Sequence, residues 1–230
     1  MGDKIKPDGQ EELSTLTRLL SGVPHELRRP LQGIKLRLEL LRSDTGERKD
    51  RHLDKLREAI DRLESSIEAL DRFANPGELA ASRFDLNQLL RESAARVSSD
   101  QIRIEFGLAE ALPEIYGDRS MISEAVANII TNAVDAMPQG GALRLESRSH
   151  DGRAEIIVAD SGSGIPQDNL ARIFELYFTT KPEGRGLGLS LALRAIELNR
   201  GSIRLESCAG QGTTCHVALP LARLPTPSAE

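Results

Sequence analysis

The sequence has no tryptophan and few aromatic residues of any kind, which make up 3% of its 230 residues. A ligand-binding platform built from stacked aromatic rings is therefore not expected. Cysteine is scarce as well: Cys208 and Cys215 are too few for the disulfide framework of a small secreted domain. We expect both to be reduced, buried thiols.

Long apolar runs are also missing. No stretch approaches the roughly 18 consecutive apolar residues of a membrane-spanning helix, and the N-terminal sequence MGDKIKPDGQ contains no apolar signal segment. The net charge is -5, with basic and acidic residues interspersed, whereas a nucleic-acid-binding surface needs a basic surplus on one face. We therefore expect a soluble, cytoplasmic chain with no membrane span and no nucleic-acid partner.

Residues 11–74 carry a heptad pattern of apolar residues. Before a turn cluster at 43–47 (SDTGE), leucine or isoleucine recurs every seven residues from Leu13 to Leu41. After the turn, a second series places apolar residues at a and d positions with charges between them: Leu53, Leu56, Ile60, Leu63, Ile67 and Leu70. Two such helices form an antiparallel hairpin, and pairing two hairpins into a four-helix bundle buries the seam of each. The pattern predicts a homodimer, although by itself it also fits a coiled-coil spacer without chemistry.

Beyond a linker at 75–82, the pattern changes to short strands and longer helices. Alternating apolar runs predict strands at 101–106, 142–148, 153–159, 202–207 and 213–219. Helical patterns lie at about 86–98, 119–137 and 187–200. Such a mixture, without regular βαβ alternation, predicts an α/β sandwich with a mixed sheet over 83–221. The expected fold class is therefore α+β, with a helical hairpin at 11–74 and a loose, proline-rich tail at 222–230.

A polar stripe crosses the otherwise apolar helix predicted at 119–137. Glu124, Asn128 and Asn132 recur every four residues, so their side chains share one helix face. The neutral oxygen of an asparagine amide can bind Mg²⁺ without cancelling the charge that must act on phosphates. A pair of capping or solvent-facing asparagines is the plain alternative for this stripe.

Two glycine-rich segments follow this helix. Asp160, at the end of a predicted strand, begins the sequence DSGSG, in which Gly162 and Gly164 let a ligand approach the backbone closely. A carboxylate at a strand end can accept a hydrogen bond from an exocyclic amine such as that of adenine. Further on, Gly186 and Gly188 precede a predicted helix, whose N-terminus favours an anion such as phosphate. Each segment alone also fits an ordinary glycine-rich turn.

Three aromatic residues lie between these two segments. Phe174, Tyr177 and Phe178 fall within five residues of one another and are followed by two threonines and Lys181. In a chain with so few aromatic residues, this grouping predicts a small packing anchor.

In this order, the segments resemble the nucleotide-binding domain of histidine kinases and their relatives, the gyrase B subunit, Hsp90 and MutL. The resemblance runs over residues 118–220 and looks most like the nitrogen-regulator type of sensor kinase. It implies an ATP site in which Asn132, beside Asn128, binds Mg²⁺ and Asp160 binds the adenine amine. It also implies that Gly162 and Gly164 shape the adenine pocket with support from Thr213, that Gly186 and Gly188 meet the phosphates, and that Lys181 and Arg185 belong to a lid over the nucleotide.

The first region resembles the same family around His25. The sequence HELRRPL at 25–31 is similar to the phosphoacceptor motif of histidine kinases. With Leu27 at an a position, His25 falls at f, on the solvated face of the bundle. A neutral imidazole has a free lone pair for attack on the γ-phosphorus of ATP, and Glu26 beside it can take or orient the proton on the other ring nitrogen. Outside this motif, a lone exposed histidine would be an ordinary surface residue.

Three functions fit these observations. The first is an ATP-dependent histidine kinase that autophosphorylates His25 and passes the phosphoryl group to an aspartate of a response regulator. The second is an ATPase or ATP-gated clamp of the same superfamily. Proteins of that kind resemble one another in having a glutamate at the position of Asn128, and this glutamate activates water. Asn128 therefore argues against hydrolysis. The third, a dimeric scaffold with a degenerate nucleotide domain, ranks last because every nucleotide segment is intact.

Overall fold

The computed structural model describes residues 23–41, 47–74, 77–97, 101–181, 184 and 186–222. Three predicted features lie outside these residues: the start of the first heptad series, Arg185, and the tail from 223 onward. Between Val23 and Pro30 only the backbone is described. By its contacts the chain divides into two compact units. Of the described residues, one unit combines those up to Gly77 with those of Glu175–Leu187, and the other combines those of Glu78–Phe174 with those from Gly188 on.

Two long helices pack together in the first unit. Helix α1 covers Val23–Leu40 and helix α2 covers Glu47–Ala74, as the heptad pattern predicts for a helical hairpin. Some seam residues, such as Ile34 and Leu63, are half-buried between them. Other large apolar side chains remain exposed in the single chain: Leu31, Leu36, Leu38, Leu53, Ile60 and Ile67. None of the described helices is long and apolar enough to cross a membrane.

The second unit contains both strands and helices. Within its described residues the elements are, in chain order, β1 (Ala81–Phe84), α3 (Leu86–Ala95), β2 (Ile102–Leu108), β3 (Ile115–Asp118), α4 (Arg119–Asp135), β4 (Gly141–His150), β5 (Arg153–Asp160), α5 (Gln167–Leu170), α6 (Gly188–Leu198), β6 (Ser202–Ser207) and β7 (Thr213–Pro220). Each of the five strands and three helices that the sequence predicts here overlaps one of them.

Five of these strands form a mixed sheet in the order β2-β4-β5-β7-β6. Strand β2 pairs with β4 in parallel, and the other neighbours are antiparallel. This confirms the predicted mixed sheet and the α+β class. The two short strands β1 and β3 pair in a separate antiparallel ladder that the sequence pattern did not predict. At four residues each, they are too short for an alternating pattern to stand out.

The core lies between one face of the large sheet and the helices α3, α4 and α6. Alternate residues of the central strands face this core because side chains along a strand point to opposite faces. Leu143, Leu145, Ile156, Val217 and Leu219 are each at most 1% exposed. The opposite face carries charged side chains, among them Arg144 and Arg204, and this one-sided burial is typical of largely antiparallel sheets.

Asp118 caps the N-terminus of helix α4. The Asp118 carboxylate accepts hydrogen bonds from the backbone N–H groups of Met121 and Ala80, both at 3.0 Å. Its own backbone N–H donates to Asn199 Oδ1 at 2.7 Å, just beyond the end of α6. A capped N-terminus satisfies donors that the helix leaves unpaired. The contact with Asn199 therefore ties the start of α4 to the end of α6.

Candidate functional site

The predicted polar stripe of α4 faces the start of α6. Glu124 is exposed, whereas Asn128 and Asn132 are half-buried. A Cβ added to Gly188 would lie 3.3 Å from Asn132 Nδ2 and 3.8 Å from Asn128 Oδ1. The two asparagines therefore lie directly against the first residue of α6. The structure brings together an amide pair and the N-terminus of an eleven-residue helix, where free N–H groups and the helix dipole favour anions.

Asp160 ends strand β5 at the second predicted segment. Its Oδ1 accepts a hydrogen bond from the Gly162 backbone N–H at 2.8 Å, so the carboxylate is oriented by the turn that follows it. Gly162 in turn packs on the end of α4, since a Cβ there would lie 2.5 Å from the Ala136 carbonyl oxygen. The Ser163 N–H donates to that same carbonyl at 3.0 Å. These contacts hold the turn after β5 against the end of α4.

Gly164 and Gly212 allow two turns to touch through their backbones. Both have a positive φ, at 64° and 82°, which favours glycine. A Cβ at Gly164 would overlap the Cys208 carbonyl oxygen, and a Cβ at Gly212 would overlap the Asp160 carbonyl oxygen. The DSGSG turn and the turn that precedes β7 are therefore in direct contact.

Thr213 begins β7 next to this pair of turns. It lies opposite Asp160 in the β5–β7 ladder and opposite Ser207 in the β6–β7 ladder. Ser207 is a residue that our sequence reasoning missed. Its hydroxyl contacts Thr213 Oγ1 at 2.9 Å and also binds two backbone groups of the neighbouring turns. Only the strand register places Ser207 here, so the sequence carried no signal for it beyond its position at the end of a predicted strand.

Two residues of the aromatic segment, Tyr177 and Phe178, belong to the first unit, whereas Phe174 belongs to the second. Tyr177 is 6% exposed, and its hydroxyl donates to the Ser66 backbone carbonyl of α2 at 3.3 Å. Tyr177 has φ 67°, and its backbone N–H donates to the Gly186 carbonyl at 2.7 Å. Gly186 itself has φ 65°, and a Cβ there would overlap the Tyr177 backbone. The contact between Tyr177 and Gly186 therefore closes the loop between these two residues. The predicted aromatic packing anchor is present at the buried Tyr177.

Lys181 lies inside that loop and is half-buried. Its backbone N–H donates to Thr179 Oγ1 at 3.1 Å, and its carbonyl accepts from the Gly184 N–H at 3.1 Å. The predicted nucleotide-site residues thus fall into three groups in the structure: Asn128, Asn132 and Gly188; Asp160, Gly162, Gly164 and Thr213; and Lys181 with Gly186. The first two groups share the second unit, and the third lies in the first unit.

His25 and Glu26 lie on helix α1, as the motif predicts, and their side chains are outside the description. Arg185 also lies outside the described residues. The expectation that both cysteines are buried is wrong for one of them. Cys208 is exposed because it follows the last residue of β6, whereas Cys215 points into the core from β7. Burial raises the pKa of the Cys215 thiol to about 12.

Comparison with known families agrees with this arrangement. The family described as "Histidine kinase-, DNA gyrase B-, and HSP90-like ATPase" matches residues 117–223, which include both site groups of the second unit. The "His Kinase A (phospho-acceptor) domain" matches residues 15–78, which include His25 and both helices of the first unit. Together the two matches extend over more than half of the chain.

Individual relatives give the same picture. The chain is 34% identical over 218 residues to the sensor histidine kinase ZraS of Escherichia coli, covering 92% of this chain and 47% of ZraS. Full-length ShkA, solved in complex with AMPPNP, is similar with a TM-score of 0.65 and 29% identity, over 94% of this chain and 47% of ShkA. Histidine kinase ThkA, solved in complex with the response regulator protein TrrA, is similar with a TM-score of 0.70 and 25% identity, over 93% of this chain and 64% of ThkA.

An ATP-binding domain of this family, joined to a phosphoacceptor domain, defines a class of signalling phosphotransferases. The chain belongs to the sensor histidine kinases of two-component systems and carries their catalytic core, including the ATP-binding domain. It spans half or less of the length of the curated relatives that it matches.

Proposed function

We propose that this core transfers the γ-phosphoryl group of ATP to His25 and then donates it to an aspartate of a response regulator. The observation that carries the proposal is the contact between Gly188 and the asparagine pair of α4. It sets a helix N-terminus and two neutral amides at one place, which suits a polyphosphate and its metal ion. Phosphoryl transfer needs mainly such positioning and charge stabilisation from the protein.

The phosphate end of the site fits Mg²⁺ through Asn132. The described residues contain no cluster of three or more His, Cys, Asp or Glu side chains that could hold a metal by themselves. A metal ion here would therefore take its ligands from the Asn132 amide oxygen, the phosphates and water, which is how Mg²⁺ is usually bound. When bound, the ion would neutralise charge on the phosphates. The backbone N–H groups at the start of α6, with Gly188, would bind phosphate oxygens.

The base end of the site is supported by Asp160. Its carboxylate is oriented by the Gly162 N–H and lies at the end of a core strand, and an ionised carboxylate can accept a hydrogen bond from an exocyclic amine. Gly162 and Gly164 contribute no side chains to the turn, and Thr213 lies opposite Asp160 in the sheet. We assign adenine binding to this group, a lid role to Lys181 and Arg185, and phosphate binding to Gly186 together with Gly188.

The chemical step uses His25 and Glu26. A lone pair of the His25 imidazole forms the N–P bond while the bond from the γ-phosphorus to the leaving oxygen breaks and ADP departs. The proton on the other ring nitrogen passes to Glu26 or to water. In the second step the N–P bond breaks as a carboxylate oxygen of the regulator takes the phosphoryl group. The relative ThkA was solved with the response regulator protein TrrA, which supports a partner of this kind.

The exposed apolar residues of α1 and α2 support a homodimer. Several leucine and isoleucine side chains along both helices have 37–59% exposure in the single chain, among them Leu36 and Ile67. A second copy would cover them in the four-helix bundle that the heptads predict. The proposed division is a hairpin at 11–74, a linker at 75–82 and an ATP-binding domain at 83–221. Because ATP is the substrate, we place this core in the cytoplasm.

The second candidate is an ATPase or ATP-gated clamp of the same superfamily. Asn128 lies beside Gly188, at the phosphate end of the proposed site. An amide has no basic group with which to activate water for hydrolysis, whereas transfer to His25 needs none there. We therefore rank the ATPase second.

Labelling with γ-labelled ATP tests the proposal. The wild-type protein should gain one acid-labile, base-stable phosphoryl group at His25 in the presence of Mg²⁺. His25→Gln should lose the label while its affinity for ATP stays near that of the wild type, and His52→Gln serves as the matched control. Release of inorganic phosphate without label on the protein would favour the ATPase. Label on another residue would show that His25 is not the acceptor.

A further inference from the structure

The hydroxyl of Ser207 sits where two turns of the nucleotide domain meet. Ser207 is the last residue of β6, and its Oγ accepts a hydrogen bond from the Ile165 backbone N–H at 2.8 Å. The same Oγ donates to the Gly212 carbonyl at 2.8 Å. A single side chain thus links the end of the DSGSG turn to the turn that precedes β7.

A third contact of Ser207 fixes the direction of the Thr213 hydroxyl. The two hydroxyl oxygens are 2.9 Å apart, and either could donate if the pair were isolated. A serine hydroxyl has one proton and two acceptor positions. The Gly212 carbonyl can only accept, so it takes the Ser207 proton, and the Ile165 N–H takes one acceptor position. The remaining acceptor position can only receive the proton of Thr213.

Thr213 therefore keeps only lone pairs for a ligand. The register places Thr213 opposite Asp160 on the neighbouring strand, and directly opposite residues of antiparallel strands have Cβ atoms about 4.5–5.5 Å apart on one face. An ionised carboxylate also accepts and cannot donate. Ser207, Thr213 and Asp160 thus form a row across three strands that presents two acceptor groups side by side.

We infer that Ser207 is a specificity-determining residue of the nucleotide site. By holding the Thr213 proton, it prevents Thr213 from donating a hydrogen bond to the base. The site then offers hydrogen-bond acceptors, which suit a purine with an amine at position 6. It offers no donor from Thr213 to a purine with a carbonyl at that position. The inference rests on the proposed binding of the base near Asp160, and it adds a residue that touches no nucleotide itself.

The test compares the affinities of ATP and ITP, which differ in the group at position 6 of the purine. Dissociation constants are measured with Mg²⁺ by displacement of a fluorescent ATP analogue. In Ser207→Ala the Thr213 proton is freed and can donate to a carbonyl. We expect the preference for ATP over ITP to fall by roughly ten-fold, as the gain or loss of about one hydrogen bond implies. Ser207→Thr, which keeps the hydroxyl, should retain the wild-type preference, as should Ser202→Ala at the exposed start of β6.

The double variant Ser207→Ala/Thr213→Val separates this role from a structural one. If Ser207 acts through Thr213, adding Ser207→Ala to Thr213→Val should leave the ATP preference unchanged, because the hydroxyl that it orients is gone. An unchanged preference in folded Ser207→Ala, or failure of Ser207→Thr to retain it, overturns the inference. Should Ser207→Ala unfold, equal preferences in Thr213→Val and Thr213→Ser overturn it instead. A wild-type protein that binds neither nucleotide would overturn the proposed site as well.

Discussion

Gly164 lies so close to Cys208 that a Cβ built on the glycine would overlap the Cys208 carbonyl oxygen. The two residues are 44 positions apart in the chain, and their contact joins the DSGSG turn to the end of β6. Gly164 therefore serves two needs at once. Its φ of 64° favours glycine, and its lack of a side chain leaves room for a carbonyl of another segment.

Gly164→Ala should destabilise the protein much more than Gly152→Ala. Gly152 has φ 72° but nothing within 4 Å of an added Cβ, so alanine there is strained by about 1–2 kcal/mol through the backbone alone. At Gly164 the overlap adds about 1–3 kcal/mol, typical of an overpacked site. Urea unfolding of the two variants measures the difference, and ATP binding should weaken only for Gly164→Ala. Equal unfolding free energies would contradict the close contact.

Asn132→Ala should abolish the Mg²⁺ dependence of ATP binding. The Asn132 amide lies against Gly188 at the start of α6, and its oxygen is the proposed protein ligand of the ion. Thr131→Ala is the matched control, since Thr131 is the exposed neighbour on the same helix. Titration calorimetry with and without Mg²⁺ measures the affinity, and circular dichroism checks the fold. If Asn132→Ala binds Mg-ATP as tightly as the wild type, Asn132 is not the ligand.

Glu155 should contribute stability that is lost in acid. A hydrogen bond from Arg148 is the main cause that lowers the pKa of Glu155 below its ordinary value of 4.5, and His216 adds a second partner at 3.0 Å. Because the folded state prefers the carboxylate, this stability is present above pH 4.5 and disappears as the pH falls through the lower pKa of the folded state.

Thermal melting of Glu155→Gln tests this expectation. The variant should melt below the wild type at pH 7, and the gap should close as the pH is lowered below 4.5. Glu105→Gln, at an exposed pair with Arg103 on the edge strand β2, should change the melting temperature little at any pH. A gap between Glu155→Gln and the wild type that stays constant from pH 7 to pH 3 would show that the charge of Glu155 is not the cause.

The two cysteines should react with thiol reagents at very different rates. Thiolates are the reactive form, Cys208 is exposed, and burial raises the pKa of Cys215 to about 12. A maleimide at pH 7.5 should therefore label one thiol in the native protein and two in urea. Cys208→Ser should remove the fast label, as mass spectrometry can verify. Rapid labelling of Cys215 in the folded protein would mean that β7 is not packed as described.

The local elements of the protein could be predicted from the sequence. Heptad spacing around Leu53 and Leu63 predicts the long helix α2, and alternation from Arg153 to Ala159 predicts β5, because both patterns depend only on neighbouring residues. The ordered glycine motifs likewise indicated the nucleotide domain. Strands β1 and β3 could not be predicted, because four residues are too few for an alternation of apolar and polar residues to stand out. In β1 only one residue, Phe84, is buried.

The tertiary structure alone decided which of the predicted residues meet. Asp160, Thr213 and Ser207 form one row because the register of two strand pairs aligns them, and register depends on packing across the whole sheet. Gly186 and Gly188 are two residues apart in one motif, yet Gly186 closes a loop on Tyr177 while Gly188 lies against Asn132. No sequence spacing distinguishes these two glycines. The difference arises from tertiary packing. Gly188 packs against α4, which is distant in the chain, whereas Gly186 packs against Tyr177 at the other end of its own loop.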